Sequence, residues 1–276
     1  MLKLRDGIVE LYRKAATSIP PDVEDALKAA FAAEEDPDVK EALSKILGDI
    51  RISRKTEGPV CQDIGVPVFY MTAPHGLSHT ELRNTVREAT AIATENIPLV
   101  PNAIDVLSEK NSGNNTGIGF PIIYIEETAD DTLKIDLMLK DAGCENVGHL
   151  YRLPVKELQA HMDLEGVGKC VIDALRRNEG KGCPPYIIGV GVGATDDQVA
   201  VLAKRQLFRR MSDSSEYEAV AGLEKRLVDE INGLGIGIGR TTVMGVKVGI
   251  SHRHTASYCV YVFVSCWSIR RARLIW

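Results

Sequence analysis

The chain has 276 residues, 45% of them hydrophobic and 26% charged, with Lys+Arg 33 against Asp+Glu 38 and a formal net charge of -5. That profile belongs to a globular protein long enough for a sizeable core, and the acidic balance argues against a nucleic-acid binder working through bulk positive charge. The longest apolar run, Tyr258 to Val264, is seven residues, far short of the about 18 that suggest a membrane span.

Residues Met1-Leu-Lys-Leu-Arg-Asp alternate apolar with charged side chains and form no signal-peptide core. A cytoplasmic chain is therefore expected. In the first 55 residues, Leu4, Ile8, Leu11 and Tyr12 keep a helical period. Pro20-Pro21 breaks the chain, and Val23, Ala26, Leu27, Ala30 and Phe31 start a second stripe. A third follows Pro37 through Val39, Leu43 and Ile46-Leu47, so this segment reads as a helical bundle packed on a core. Val66 to Met71 reads as a strand. Ser78 to Glu95 reads as a helix with Ser78 as N-cap and Glu81 completing a capping box. The polar stretch Asn102 to Gly119 is a loop, followed by strands over Phe120 to Glu126 and Thr132 to Lys140. Val155 to Asn178, Asp196 to Arg210 and Glu216 to Ile231 read as helices, and Tyr186 to Val192, Thr242 to Val248 and Ala256 to Val264 as strands. Without repeats or low-complexity linkers, the expectation is a mixed α/β fold, one domain over residues 1–276 with a helical segment at 1–55 and a core at 56–276.

Six cysteines are too sparse for a disulfide scaffold, and a cytosolic chain would not hold disulfides. Three lie on strand ends or stiff loops, where fixed geometry suits a metal ligand. Cys61 opens Cys61-Gln62-Asp63-Ile64-Gly65, Cys183 sits in Gly182-Cys183-Pro184-Pro185-Tyr186, and Cys266 follows a strand. With no local Cys-x-x-Cys pattern, any shared site is assembled by the fold, and spacing leaves ligation and structural roles both open. Cys170 and Cys259 read as core, and Cys144 as either close to a site or part of it. Asp63 is a candidate base beside Cys61 or an Asp capping a turn. Gly189-Val-Gly191-Val-Gly193-Ala194 formally fits the dinucleotide fingerprint. Its first two glycines fall inside the strand, and no second strand with a ribose-binding acid follows. Close helix–sheet packing is the simpler reading, with anion binding at the helix start as another. His252-Arg253-His254 reads as an acid/base or metal cluster, or as a structural loop. Gly233 to Gly239 reads as a helix-to-strand turn, and Arg270, Arg271 and Arg273 as a solvated tail.

Taken in order, several segments together resemble the alpha subunit of class I fumarate hydratase and L-tartrate dehydratase, the iron–sulfur hydro-lyases. They are Cys61-Gln-Asp-Ile-Gly65, Pro101-Asn102-Ala103, Asn111-Ser-Gly-Asn-Asn-Thr-Gly117, Gly143-Cys-Glu-Asn146, Cys183-Pro-Pro-Tyr-Ile-Ile-Gly-Val-Gly191, Thr241-Thr-Val-Met-Gly245, His252-Arg-His254 and Cys266-Trp-Ser-Ile-Arg-Arg271. The resemblance implies a [4Fe-4S] cluster held by Cys61, Cys183 and Cys266, with one iron acting as a Lewis acid. It further implies that Gln62 and Gly143 meet a dicarboxylate substrate and that Asp63 moves a proton, in the hydration of fumarate to malate or the dehydration of tartrate. In single-chain relatives a second domain follows and supplies cationic groups, so a separate beta subunit and an αβ hetero-oligomer are expected here. The chain departs from the family pattern at Ile64 (usually Thr), Val100 (commonly a carboxylate-binding Arg), Cys144 (usually Ser) and in a shorter glycine turn before Arg240. Two other readings stay in view. One is an NAD-dependent oxidoreductase using the glycines at Gly189, and the other a cluster-bearing subunit without turnover.

Overall fold

A computed structural model describes residues 1–178, 181–236 and 239–276. Two residues of the Gly233 to Gly239 turn, 237 and 238, lie outside it. The chain divides into two compact units, each a mixed sheet with helices. One comprises Met1–Pro20, Gly48–Ala142 and Ser268–Trp276, the other Pro21–Leu47 and Gly143–Trp267.

The first unit holds α1 (Leu2–Thr17), most of the second half of α3 (Pro37–Thr56), β1 (Val66–Pro74), α4 (His79–Asn96), β2 (Ile122–Thr128), β3 (Lys134–Lys140) and β8 (Arg270–Ile275). Its strands run in the order β2-β1-β3-β8. The β1–β2 pair is parallel, and the β1–β3 and β3–β8 pairs are antiparallel. The expected stripe of α1 is buried at Leu4, Ile8, Leu11 and Tyr12. Alternate residues of β1 and β3, among them Phe69, Met71, Ile135 and Leu137, share that core with Leu82, Val86 and Ala89 of α4. Tyr12 meets Phe69 edge-on at 5.6 Å, and its hydroxyl shares a 2.8 Å hydrogen bond with Thr90. Ser78 is the N-cap of α4, its Oγ accepting the N–H of Glu81 at 3.3 Å.

The second unit holds α2 (Pro21–Ala33), the start of α3, α5 (Ala142–Glu145, from its second residue), β4 (His149–Arg152), α6 (Leu164–Arg177), β5 (Tyr186–Gly193), α7 (Asp196–Gln206), α8 (Glu218–Gly233), β6 (Val243–Ile250) and β7 (Cys259–Ser265). Its sheet order is β4-β7-β5-β6, with β5 parallel to β6 and antiparallel to β7. β5 is buried along its whole length. A Cβ on Gly191 would lie 2.8 Å from the backbone N of Ala203 and closer still to the carbonyl oxygen of Val199, and one on Gly189 would overlap the carbonyl of Ala203. These glycines therefore let α7 lie directly on the strand, and the dinucleotide match at Gly189 is a packing device.

The mixed α/β class agrees with the sequence, and several details differ. The N-terminal segment is helical as expected, but its three helices do not all belong to one unit. Leu4, Ile8 and Tyr12 of α1 are buried in the first unit, whereas α2 buries Val23, Leu27 and Ala30 in the second. Of Val155 to Asn178, only Leu164–Arg177 is α-helical. A 3-10 turn at Lys156–Leu158 ends on Gln159 with φ +50°, and Asp163 then caps α6 by accepting the N–H of Gly166 at 2.7 Å. Arg270, Arg271 and Arg273 are no solvated tail: they lie in β8, where Arg270 is completely buried and Arg273 pairs with Asp136 at 2.6 Å. His252 to His254 is an exposed loop, with the His254 ring accepting the N–H of Ala256 at 3.1 Å. Among the described residues, no helix is long and apolar enough to cross a membrane.

Candidate functional site

In the first unit, the segment carrying Cys61 is fastened at both ends. The N–H of Val60 donates to Ala16 O at 3.1 Å, and Ser53 Oγ, on α3, donates to Thr17 O at 3.0 Å. At the far end, Gly65 has φ +82°, and a Cβ there would stand 2.5 Å from Lys140 O. Only glycine fits, because both the backbone angle and the space exclude a side chain. Asp63 Oδ1 accepts the N–H of Gly65 at 3.0 Å, and Asn102 Nδ2 donates to Gly65 O at 3.2 Å. The turn-capping role foreseen for Asp63 is thus realised, and it presents the carboxylate at a fixed place. Cys61 is half-buried and Gln62 exposed.

The same unit buries polar side chains whose hydrogen-bonding atoms are not all satisfied. Lys140 donates to Asp141 O at 2.7 Å, and Arg270 forms an ion pair with Asp141 through Nη2. Arg270 Nε and Nη1, and the side-chain oxygen of Asn102, have no hydrogen-bond partner among the described residues. Buried polar atoms of this kind carry a desolvation cost that structural pairing alone leaves unpaid.

In the second unit, Gly143 and Cys144 lie on α5, Gly143 exposed and Cys144 buried. Cys266 is buried immediately after β7, and its sulfur lies within 4.8 Å of that of Cys144. Cys183 is exposed on the turn before β5. Its carbonyl accepts the N–H of Trp267 at 3.5 Å, and the Tyr186 hydroxyl donates to Lys181 O at 2.8 Å, which ties the turn to the strand that follows it. Burial pushes the Tyr186 phenol up from its ordinary pKa, and negative charge on Cys183, Cys144 and Cys266 adds to the shift. Tyr186 therefore lies within electrostatic reach of all three sulfurs. Soft thiol donors at a strand end, on a proline-stiffened turn and on a short helix are a donor set suited to iron–sulfur or other soft-metal chemistry.

Of the residues singled out from sequence, Cys61, Gln62 and Asp63 lie in the first unit, and Gly143, Cys183 and Cys266 in the second. Cys170 is completely buried on α6, where burial pushes its thiol up to about 12. Cys259 is buried on β7, its Sγ 3.4 Å from Ala194 O. Both are core residues, as expected. The sequence reading left Cys144 undecided and missed the burial of Arg270. The alternation of Arg270, Ala272 and Leu274 was the available signal for the latter.

Known proteins similar to this chain carry related names. It is 37% identical to a putative fumarate hydratase class I of Geobacillus stearothermophilus, over 98% of this chain and 54% of that protein. It is 35% identical to a putative L(+)-tartrate dehydratase subunit alpha of Methanocaldococcus jannaschii, over 98% of this chain and 96% of the relative. The L(+)-tartrate dehydratase subunit alpha of Escherichia coli K12 is 29% identical over 99% of this chain and 90% of its own length. The chain thus spans about half the length of the Geobacillus protein and nearly all of the two alpha subunits. The family described as fumarate hydratase (fumerase) matches residues 5–275, and with essentially the whole sequence matched, the chain belongs to that family.

Proposed function

We propose that the chain is the alpha-type part of a hydro-lyase that reversibly adds water to fumarate to give malate, with both units acting as one functional domain over residues 1–276. The observation that carries this reading is the approach of the Cys144 and Cys266 sulfurs to within 4.8 Å of one another, in a chain matched to the fumarate hydratase family over residues 5–275. Cys61, Cys183 and Cys266 would hold a [4Fe-4S] cluster. When bound, the cluster supplies Lewis acidity toward oxygen.

The chain's own residues do the rest. Hydration places a hydroxyl on one olefinic carbon and a proton on the other, and dehydration reverses both. Asp63, its Oδ1 oriented by the Gly65 N–H, takes and returns the proton at the carbon beside the substrate carboxylate. Gln62 presents an exposed amide to the substrate, and Gly143, without a Cβ, allows its close approach. A dicarboxylate brings two negative charges, and Val100 stands exposed where the family commonly has Arg. We assign the missing positive charge to a beta-type subunit in an αβ hetero-oligomer, in keeping with the names of the alpha-subunit relatives. A reducing cytoplasm suits a thiolate-held cluster.

L-Tartrate dehydration is the second reading. It is favoured by the near-complete coverage of the two relatives named as tartrate dehydratase alpha subunits and by Val100. The test is anaerobic reconstitution with iron and sulfide, followed by assays on fumarate, malate and L-tartrate with and without the companion chain. Turnover of fumarate and malate supports the first reading, and turnover confined to tartrate supports the second. Saturable NAD binding by an iron-free, hydratase-inactive protein would overturn both.

A further inference from the structure

The loop between α4 and β2 inverts the usual loop pattern. Its polar groups are spent on its own backbone, while its large apolar side chains face water. Val106 is 83% exposed and Leu107 92%, and Ile118 is fully exposed. Together with Ile104 and Phe120 they line a depression of about 460 Å³. The loop is built to hold this display. Asp105 Oδ1 accepts the N–H groups of Leu107 and Ser108 and the Ser108 hydroxyl, at 3.2, 2.8 and 2.7 Å. The Asp105 N–H donates to Lys110 O at 2.9 Å, closing the tip, and Asn111 Nδ2 donates to Pro101 O at 2.8 Å. At the base, buried Asn115 accepts the N–H of Asn102 at 2.7 Å and donates to Val100 O at 3.1 Å and to Thr94 Oγ1 at 3.2 Å. Glu109 and Asn115 adopt positive φ, +55° and +56°, to complete the turns. The hydrogen bonds to Ser108 hold the Asp105 carboxyl below its ordinary pKa, so this brace is intact at neutral pH.

A pre-ordered loop carrying three large exposed apolar side chains has the physics of a binding anchor. Ordering costs little on association, and burial of each anchor is favourable. We propose that this loop is the seat of the companion subunit, a protein chain presenting an apolar face and corresponding to the part of the Geobacillus relative that this chain leaves unmatched. The inference rests on the two-chain reading above and deepens it by naming the surface. The choice of occupant follows from the lengths. The Geobacillus protein is covered over 54% of its length and the two alpha subunits over 96% and 90%. The unmatched part of the Geobacillus protein is the polypeptide that these lengths point to as the cover for an exposed apolar loop of the matched part. A second copy of this chain is the competing occupant.

The probe is the polypeptide from the same source that matches the uncovered part of the Geobacillus protein. Its affinity for the parent chain, Leu107→Asp, the pair Val106→Ser with Ile118→Ser, and the control Leu234→Ser on the second unit is measured by sedimentation and calorimetry. Because Leu107 makes little contact in the chain itself, Leu107→Asp should keep the parent's circular dichroism and melting temperature. The loop variants should bind at least about tenfold more weakly, and the control like the parent. Equal binding by parent and loop variants would overturn the assignment of this surface while leaving the hydratase reading intact. Weakened binding in a reconstituted pair that turns over neither fumarate, malate nor tartrate would uphold the surface and sink the hydratase reading. A parent chain that dimerises by itself, and is made monomeric by Leu107→Asp, would replace the companion with a second copy and refute the proposal. No association between the parent and the probe would refute it as well.

Discussion

Alanine at Gly191 tests the helix-on-strand packing that displaces the nucleotide-binding reading of the glycine segment. The added Cβ would stand 2.8 Å from the backbone N of Ala203 and 3.0 Å from the carbonyl carbon of Val199, both on α7. Ordinary contact begins at 3.4 Å, and the carbonyl oxygen of Val199 is closer than either of these atoms, so α7 has to retreat by about an ångström or more along a strand buried over its whole length. Backbone atoms cannot rotate away as a side-chain tip can. Overpacking of this kind costs about 1–3 kcal/mol, and the upper end is expected because the obstruction is main chain on main chain. Gly222→Ala is the matched control. Gly222 lies exposed within α8 with nothing within 4 Å of the added methyl, and the better helix propensity of alanine should stabilise by about 0.5–1 kcal/mol. Urea denaturation of both variants under anaerobic, reducing conditions should move the midpoint in opposite directions, with the slope against urea unchanged. A Gly191→Ala protein as stable as the parent would refute the packing argument. One that in addition lost saturable NAD binding would restore the nucleotide reading.

Three further outcomes are expected. Alanine at Cys61, Cys183 or Cys266 should each abolish iron and sulfide uptake, read by iron analysis and the visible spectrum, whereas alanine at buried Cys170 should keep the metal and cost about 1–2 kcal/mol in packing; iron retained by Cys183→Ala would remove that residue from the ligand set. Asp63→Asn keeps an oxygen able to accept the Gly65 N–H, so it should load the cluster normally and lose about 10²-fold or more in hydration rate, with near-parental turnover reducing Asp63 to its turn. Burial raises the Tyr12 phenol well above its ordinary pKa of 10.0, so the unfolded chain releases that proton first as pH rises. Tyr12 therefore favours the folded state fully below about pH 10 and progressively less above it, and Tyr12→Phe should flatten the alkaline limb of stability against pH; an unchanged alkaline limb would contradict the burial argument.

The candidate site was legible in part because the local structure of its segments is written in neighbouring residues. Cys61-Gln62-Asp63-Ile64-Gly65 reads as a polar turn before a strand, and the structure builds that turn with the Asp63–Gly65 hydrogen bond. Cys183 stands on a stiff turn and Cys266 at a strand end, as their neighbours in sequence suggested. The placement of Cys144 beside Cys266 was not legible. The two are far apart along the chain, and nothing near either states that α5 and the end of β7 meet.

Local periodicity by itself determined most of the elements: the stripes of α1, α2 and α4, the Ser78 cap, and the strands β1, β3, β5 and β7. Such features depend on residues within a few positions of one another, so a sequence window contains their cause. Tertiary structure decided the rest. It divided the first three helices between two units according to which sheet could bury each stripe. It turned the arginine-rich end into β8, because the edge of β3 offers unpaired backbone groups and Asp136 and Asp141 accept the charges of Arg273 and Arg270. It used Gly189 and Gly191 to admit α7, a role that a glycine shares in sequence with a phosphate-binding turn and that only the approach of a second backbone distinguishes.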